Sequence, residues 1–199
     1  MSRYLKPYLF AAGLLLFVGL AGARSANATP VTYSTTGSFN GAGSSITFTN
    51  GVGNSTTIAF TGVSSTVNAN PFTFASLGEF KTTVTGTGAT ITPGTTFSIV
   101  ITQTAPSGGT GSFSAVLTGT LQQDSSTGLV TFATSAVTIN GVTYSLSNNP
   151  LPLVPPSTNN GITSVQAQIT AVPEPATMLL LGTGLAGVAA KVRRRRKVA

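Results

Sequence analysis

Ala136-Val137-Thr138-Ile139-Asn140-Gly141-Val142-Thr143-Tyr144-Ser145-Leu146 is the stretch that decides the fold class. Apolar and polar side chains alternate on both sides of an Asn-Gly pair, and a period of two puts every second side chain on one face of a strand. Asn-Gly supplies two adjacent residues that tolerate positive φ, as a two-residue type I′ turn requires. The reading is an antiparallel hairpin. Upstream, residues 112–122 and 129–134 alternate in the same way around the loop Gln123-Asp124-Ser125-Ser126-Thr127-Gly128, which predicts a second hairpin. The two together predict a meander.

Further out the pattern recurs. Val31, Tyr33 and Thr35 share a face up to Phe39, followed by Ile46-Phe48, Ile58-Phe60, Phe72-Phe74 and Phe97-Ile99-Ile101. Strands are expected near 31–39, 45–49, 56–61, 72–76, 80–85, 95–104 and 162–171. No window carries apolar residues at helical spacing across this region. The abundant Thr and β-branched residues favour a pleated surface, and Gly and Asn supply the turns. About ten short strands separated by turn signals predict an all-β domain over residues 29–172: a single β-sandwich, jelly-roll-like, with the phenylalanines as its largest core members. The Pro-rich run 149–161 is excluded from a central strand and reads as a strap over one end of the sandwich.

The two ends differ in kind from this middle. Arg3 and Lys6 precede an apolar run over 9–23, and Ala26-Asn27-Ala28 follows. That order is a secretory signal peptide over 1–28, cut after Ala28 on the Ala26-x-Ala28 pattern, and it implies signal peptidase and the general secretion machinery as partners. At the other end stand Val172-Pro173-Glu174-Pro175-Ala176-Thr177, an uncharged run over 178–190, and a basic cluster of Lys191, Arg193, Arg194, Arg195, Arg196 and Lys197. The uncharged run spans about 20 Å as a helix, short of a hydrocarbon core of about 30 Å. Extended to 176–192, with basic side chains snorkelling to the headgroups, it can cross a membrane. The basic cluster holds its own side cytoplasmic, which leaves Pro173-Glu174-Pro175 at the outer face of the inner membrane. Two prolines around one residue bias that tripeptide toward an extended form, accessible to a processing enzyme.

Val-Pro-Glu-Pro-Ala-Thr, the Leu-Gly-Thr-Gly-Leu-Ala-Gly run and the Arg-rich end, in that order, closely resemble the PEP-CTERM sorting signal of surface proteins from Gram-negative bacteria that make exopolysaccharide. The resemblance implies recognition and cleavage near Pro173-Glu174-Pro175 by an exosortase, a membrane-embedded transpeptidase-like enzyme. It covers the tail 173–199 and implies nothing about the domain in front. The plainer alternative is a C-terminal anchor with a stop-transfer charge cluster.

The net charge of +7 comes from these ends. Between residues 29 and 190 the charged side chains are Lys81, Glu79, Asp124 and Glu174, so nucleic-acid binding has no electrostatic basis. Cys and His are absent, which excludes a disulfide framework, a Ser-His-Asp triad, a Cys-His pair and zinc sites built on those ligands. Glu79 and Asp124, the two carboxylates of the domain 29–172, could in principle form a glycosidase pair, and both read as solvated loop charges. No cofactor and no metal are expected, and the chain reads as a non-enzyme. Asn54-Ser55-Thr56 fits a glycosylation pattern but reads as coincidence in a Ser/Thr-rich chain. The expected function is that of a non-catalytic exported surface or extracellular-matrix protein. The alternative is a carbohydrate-binding module for exopolysaccharide, with a hydrolase far behind.

Overall fold

The computed structural model describes residues 28–51 and 53–171, together with 182–184 and 187. Its strands run in chain order as β1 (Thr29–Phe39), β2 (Ser45–Thr49), β3 (Ser55–Thr61), β4 (Ser64–Ala69), β5 (Phe72–Thr85), β6 (Ala89–Thr90), β7 (Thr96–Ala105), β8 (Gly109–Thr118), β9 (Thr120–Leu121), β10 (Leu129–Phe132), β11 (Ala136–Ile139), β12 (Val142–Leu146), β13 (Leu151–Pro152) and β14 (Ile162–Ala171). A single 3-10 turn, Asn159–Gly161, precedes β14. The fold is mostly β, with every ladder antiparallel.

The strands form two curled six-stranded sheets. The first has the order β13-β10-β8-β7-β1-β4 and the second β11-β12-β14-β5-β3-β2, while β6 and β9 make a small separate pair. Two uninterrupted stretches of chain belong to both sheets. β3 lies in the second sheet and β4, two residues later, in the first; the bend is held by Thr35 N–H donating to Val63 O at 2.8 Å. β10 and β11 change sheets in the same way through residues 133–135, where Ala133 N–H donates to Ser114 O at 2.8 Å. Such corners curl a sheet toward its neighbour.

The predicted Asn140-Gly141 hairpin is present. Ile139 pairs with Val142, and φ is 43° at Asn140 and 83° at Gly141, the two positive values a type I′ turn needs. β8 and β10 also pair as expected, Leu129 facing Thr118. The meander is corrected: β8 and β10 lie in one sheet and β11 and β12 in the other. Alternation shows which face of a strand is apolar, and says nothing about which sheet the strand joins. The strap over 149–161 touches both sheets. Leu151 pairs with Val130 at the edge of the first sheet, Leu153 is buried, and Val154 N–H donates to Thr163 Oγ1 on β14 at 3.0 Å.

Inward side chains of both sheets merge into one buried cluster. Val31, Phe39, Ile99, Ile101, Phe113 and Leu117 come from the first sheet, and Ile58, Leu77, Phe80, Val165 and Ile169 from the second. Phe97 is its hub, with ring centroids 4.7 Å from Phe39, 4.8 Å from Phe80 and 5.1 Å from Phe60. Each such ring gains about 1.5–3 kcal/mol on leaving water, and the ring–ring contacts add to that burial. Buried hydrogen bonds then fix one sheet on the other. Tyr33 donates to Ser76 O at 2.7 Å, Thr35 Oγ1 to Leu77 O at 2.7 Å, and Tyr144 to Gln103 Oε1 at 2.9 Å. Outside, Thr pairs share hydroxyls across strands, as in Thr47 with Thr57 and Thr138 with Thr143.

Candidate functional site

Both ends of the β region leave from one pole. Thr29, the first residue of β1, pairs with Ala69, the last of β4, and a two-residue turn carries the chain into Phe72. Phe72 pairs with Thr170, and Ala171, the last residue of β14, pairs with Val142 beside the Asn140-Gly141 turn. The turn is tied to the loop between β7 and β8: Asn140 Nδ2 donates to Gly108 O at 2.6 Å, and Ser107 Oγ donates to Asn140 O at 3.4 Å. Gln103 of β7 braces that loop, its Nε2 donating to Ser107 O at 2.8 Å. Gln103 in turn holds Tyr144. Burial pushes the Tyr33 and Tyr144 phenols above their ordinary value, and the neighbouring Tyr33 adds to the effect at Tyr144.

The same pole carries an exposed aromatic pair. Phe72 and Phe74 are 47% and 61% exposed, with ring centroids 6.0 Å apart and planes at 80°. Their cross-strand neighbours are Thr170 and Gln168, which lie next to Thr143 and Ser145 on β12. This corrects the expectation that the phenylalanines belong to the core. Phe72, Phe74 and Phe80 all occupy even positions of β5, and unbroken alternation would put them on one face. A register shift intervenes: Gln166 faces Ser76 and Val165 faces Gly78, leaving Leu77 as the extra residue of a β-bulge. The phase reverses there, so Phe80 is fully buried and Phe72 and Phe74 point to water. The sequence signal was Gly78 between two alternating runs, a common mark of a bulge.

A second feature is a depression of about 540 Å³ on the outer face of the first sheet. Ser98, Ser114 and Thr131 contribute hydroxyls, Val116 an exposed apolar group, and no charged residue lines it.

Glu79 lies within β5, a strand where a loop was expected, and Asp124 is exposed in the loop after β9. Lys81 Nζ donates to Asn160 O. Among the described residues no group of three His, Cys, Asp or Glu could hold a metal ion. The Asn54 side chain is engaged by Thr87 N–H at 2.9 Å, and Thr56 Oγ1 is buried and donates to Leu121 O at 3.1 Å.

The remaining expected site residues lie outside the described residues: Ala26 of the signal cleavage pattern, Pro173, Glu174 and Pro175, and the cluster of Lys191, Arg193, Arg194, Arg195, Arg196 and Lys197. Ala28 is described and half-buried, next to β1. Of the expected membrane span 176–192, residues 182–184 and 187 are described and helical. Among the described residues no helix is long and apolar enough to cross a membrane.

These observations define a β-rich unit whose central strand β14 runs directly into a separate addressing segment. That segment is recognisable: residues 171–196 match the family model of the PEP-CTERM protein-sorting motif. The chain thus carries a sorting signal that supports exosortase-dependent sorting of an exported protein, with exosortase as the processing partner. No curated protein and no solved structure matches the chain.

Proposed function

We propose that this chain is a non-catalytic surface or extracellular-matrix protein: a β-sandwich exported by its signal peptide, held at the inner membrane by its tail, and released by exosortase cleavage near Pro173-Glu174-Pro175. The observation that carries the reading is the sorting motif beginning at Ala171, the last residue of β14. The exit of both ends of the β region, Thr29 and Ala171, at one pole supports it, because a precursor held by both its leader and its tail needs both attachments on the membrane side.

The test is a blot of membrane and extracellular fractions from the native host, with and without its exosortase. Wild type should reach a smaller mature size only when the enzyme is present. Glu174→Ala should insert normally and remain at precursor size, since one interfacial carboxylate adds little to anchoring. If the two chains run at the same mature size in the same fraction, the tail is an anchor only. Exopolysaccharide binding is the second reading, favoured by the uncharged, largely apolar depression around Val116 with Ser98, Ser114 and Thr131 on its wall.

A further inference from the structure

We propose that Phe72 and Phe74 form a membrane-interface contact that seats the uncut precursor on the outer leaflet and is given up on cleavage. The inference rests on the sorting reading above. Its independent observation is the position of the pair. Phe72 lies directly opposite Thr170, one residue before the sorting segment begins at 171. From Thr170 to Ala176, where the expected span starts, the chain reaches at most about 20 Å even fully extended. A tail seated in the bilayer therefore holds this corner of the domain within a short reach of the headgroups.

The chemistry suits that location. Aromatic rings favour the headgroup level, where an apolar body can leave water without entering the hydrocarbon fully. The neighbours Thr143, Ser145, Gln168 and Thr170 are polar and uncharged, so seating the face strips no ion of its water. The charged Glu79 and Lys81 lie further along β5, beyond the bulge that turns the phenyl pair outward. Two phenyl groups are too little to hold a free domain on a membrane. The tail changes that by keeping the pair at high local concentration next to the surface, so a weak contact is occupied while the tail is intact. Once the chain is cut, the same contact is too weak to retain the product.

The chain contains no Trp, so a single introduced indole reports its own surroundings. Full-length Phe74→Trp precursor would be reconstituted into phosphatidylethanolamine–phosphatidylglycerol vesicles with brominated acyl chains. Val116→Trp, on the outer face of the other sheet, serves as the reference, and vesicle flotation reports tail insertion separately. The expected result is flotation of both variants, with a blue shift and bromine quenching for Phe74→Trp alone. If both float and the two indoles behave alike, the contact does not exist, while the sorting reading stands. If neither floats, both readings fall. If the indole of Phe74→Trp ignores lipid and responds instead to the producer's soluble exopolysaccharide, the pair is a sugar platform and the lipid proposal is overturned.

Discussion

Phe80 and Phe74 sit on the same strand of the same sheet, yet one is fully buried and the other is 61% exposed. Phe80 belongs to the ring cluster around Phe97, while Phe74 stacks edge-on against Phe72 in water. Residue type and strand membership are the same, and so is the parity of position. The difference is one inserted residue at Leu77. A strand's two faces are fixed by counting, so a single extra residue reassigns every side chain beyond it. The bulge is thus what lets one strand serve both the core and the exposed surface at the pole where both ends of the β region leave.

The comparison breaks most easily at the rings themselves. Phe97→Ala should lower stability by about 3–5 kcal/mol, because three neighbouring rings lose their common partner. Phe74→Ala should stay within about 0.5 kcal/mol of wild type, since its ring is already in water. Chemical denaturation of the two variants checks this; similar losses would mean that the exposed pair is part of the core. Next comes the bulge. Gly78 has φ +132°, and an added Cβ would lie 2.6 Å from Thr61 O and 2.4 Å from the Phe60 ring. Gly78→Ala should cost about 1–3 kcal/mol, read as a fall in melting temperature.

The smallest expected effect concerns the buried aromatics that can ionise. Tyr33 and Tyr144 keep their protons above the ordinary phenol value of 10.0 when folded. The unfolded chain releases those protons first, so their contribution is complete below pH 10 and is lost as pH rises beyond it. Each tyrosine can contribute at most about 1.4 kcal/mol per pH unit in that window. Melting temperatures from pH 8 to pH 11 should be flat up to 10 and then fall, and a flat profile throughout would place the phenols in contact with water.

The sequence and structure agree where the signal is local. The Asn140-Gly141 turn is legible because only residues tolerant of positive φ fit a two-residue hairpin. The sorting tail is legible because its parts are linear and need no fold to be recognised. What was hidden depends on partners distant in sequence. β4, Ser-Ser-Thr-Val-Asn-Ala, carries little apolar alternation because an edge strand pairing on one side needs few apolar residues. The sheet changes at Gly62-Val63 and at 133–135 leave alternation intact on both sides, so the meander looked continuous. The outward turn of Phe72 and Phe74 was hidden for the same reason: a bulge exists only relative to the opposite strand. Gly78 was visible, but β14 was needed to interpret it.

β14 has a mechanical consequence. It is an interior strand, bonded to β5 from Ile162 to Thr170 and to β12 from Ala167 to Ala171, and its last residue continues into the tail. Traction between an anchored tail and the body of the domain would act along the axis of that strand. Its ladder bonds lie across the axis, so the pull loads them together in shear, where an edge strand peeled from its end would lose them one at a time. A domain tethered through β14 is therefore built to be tugged without unravelling.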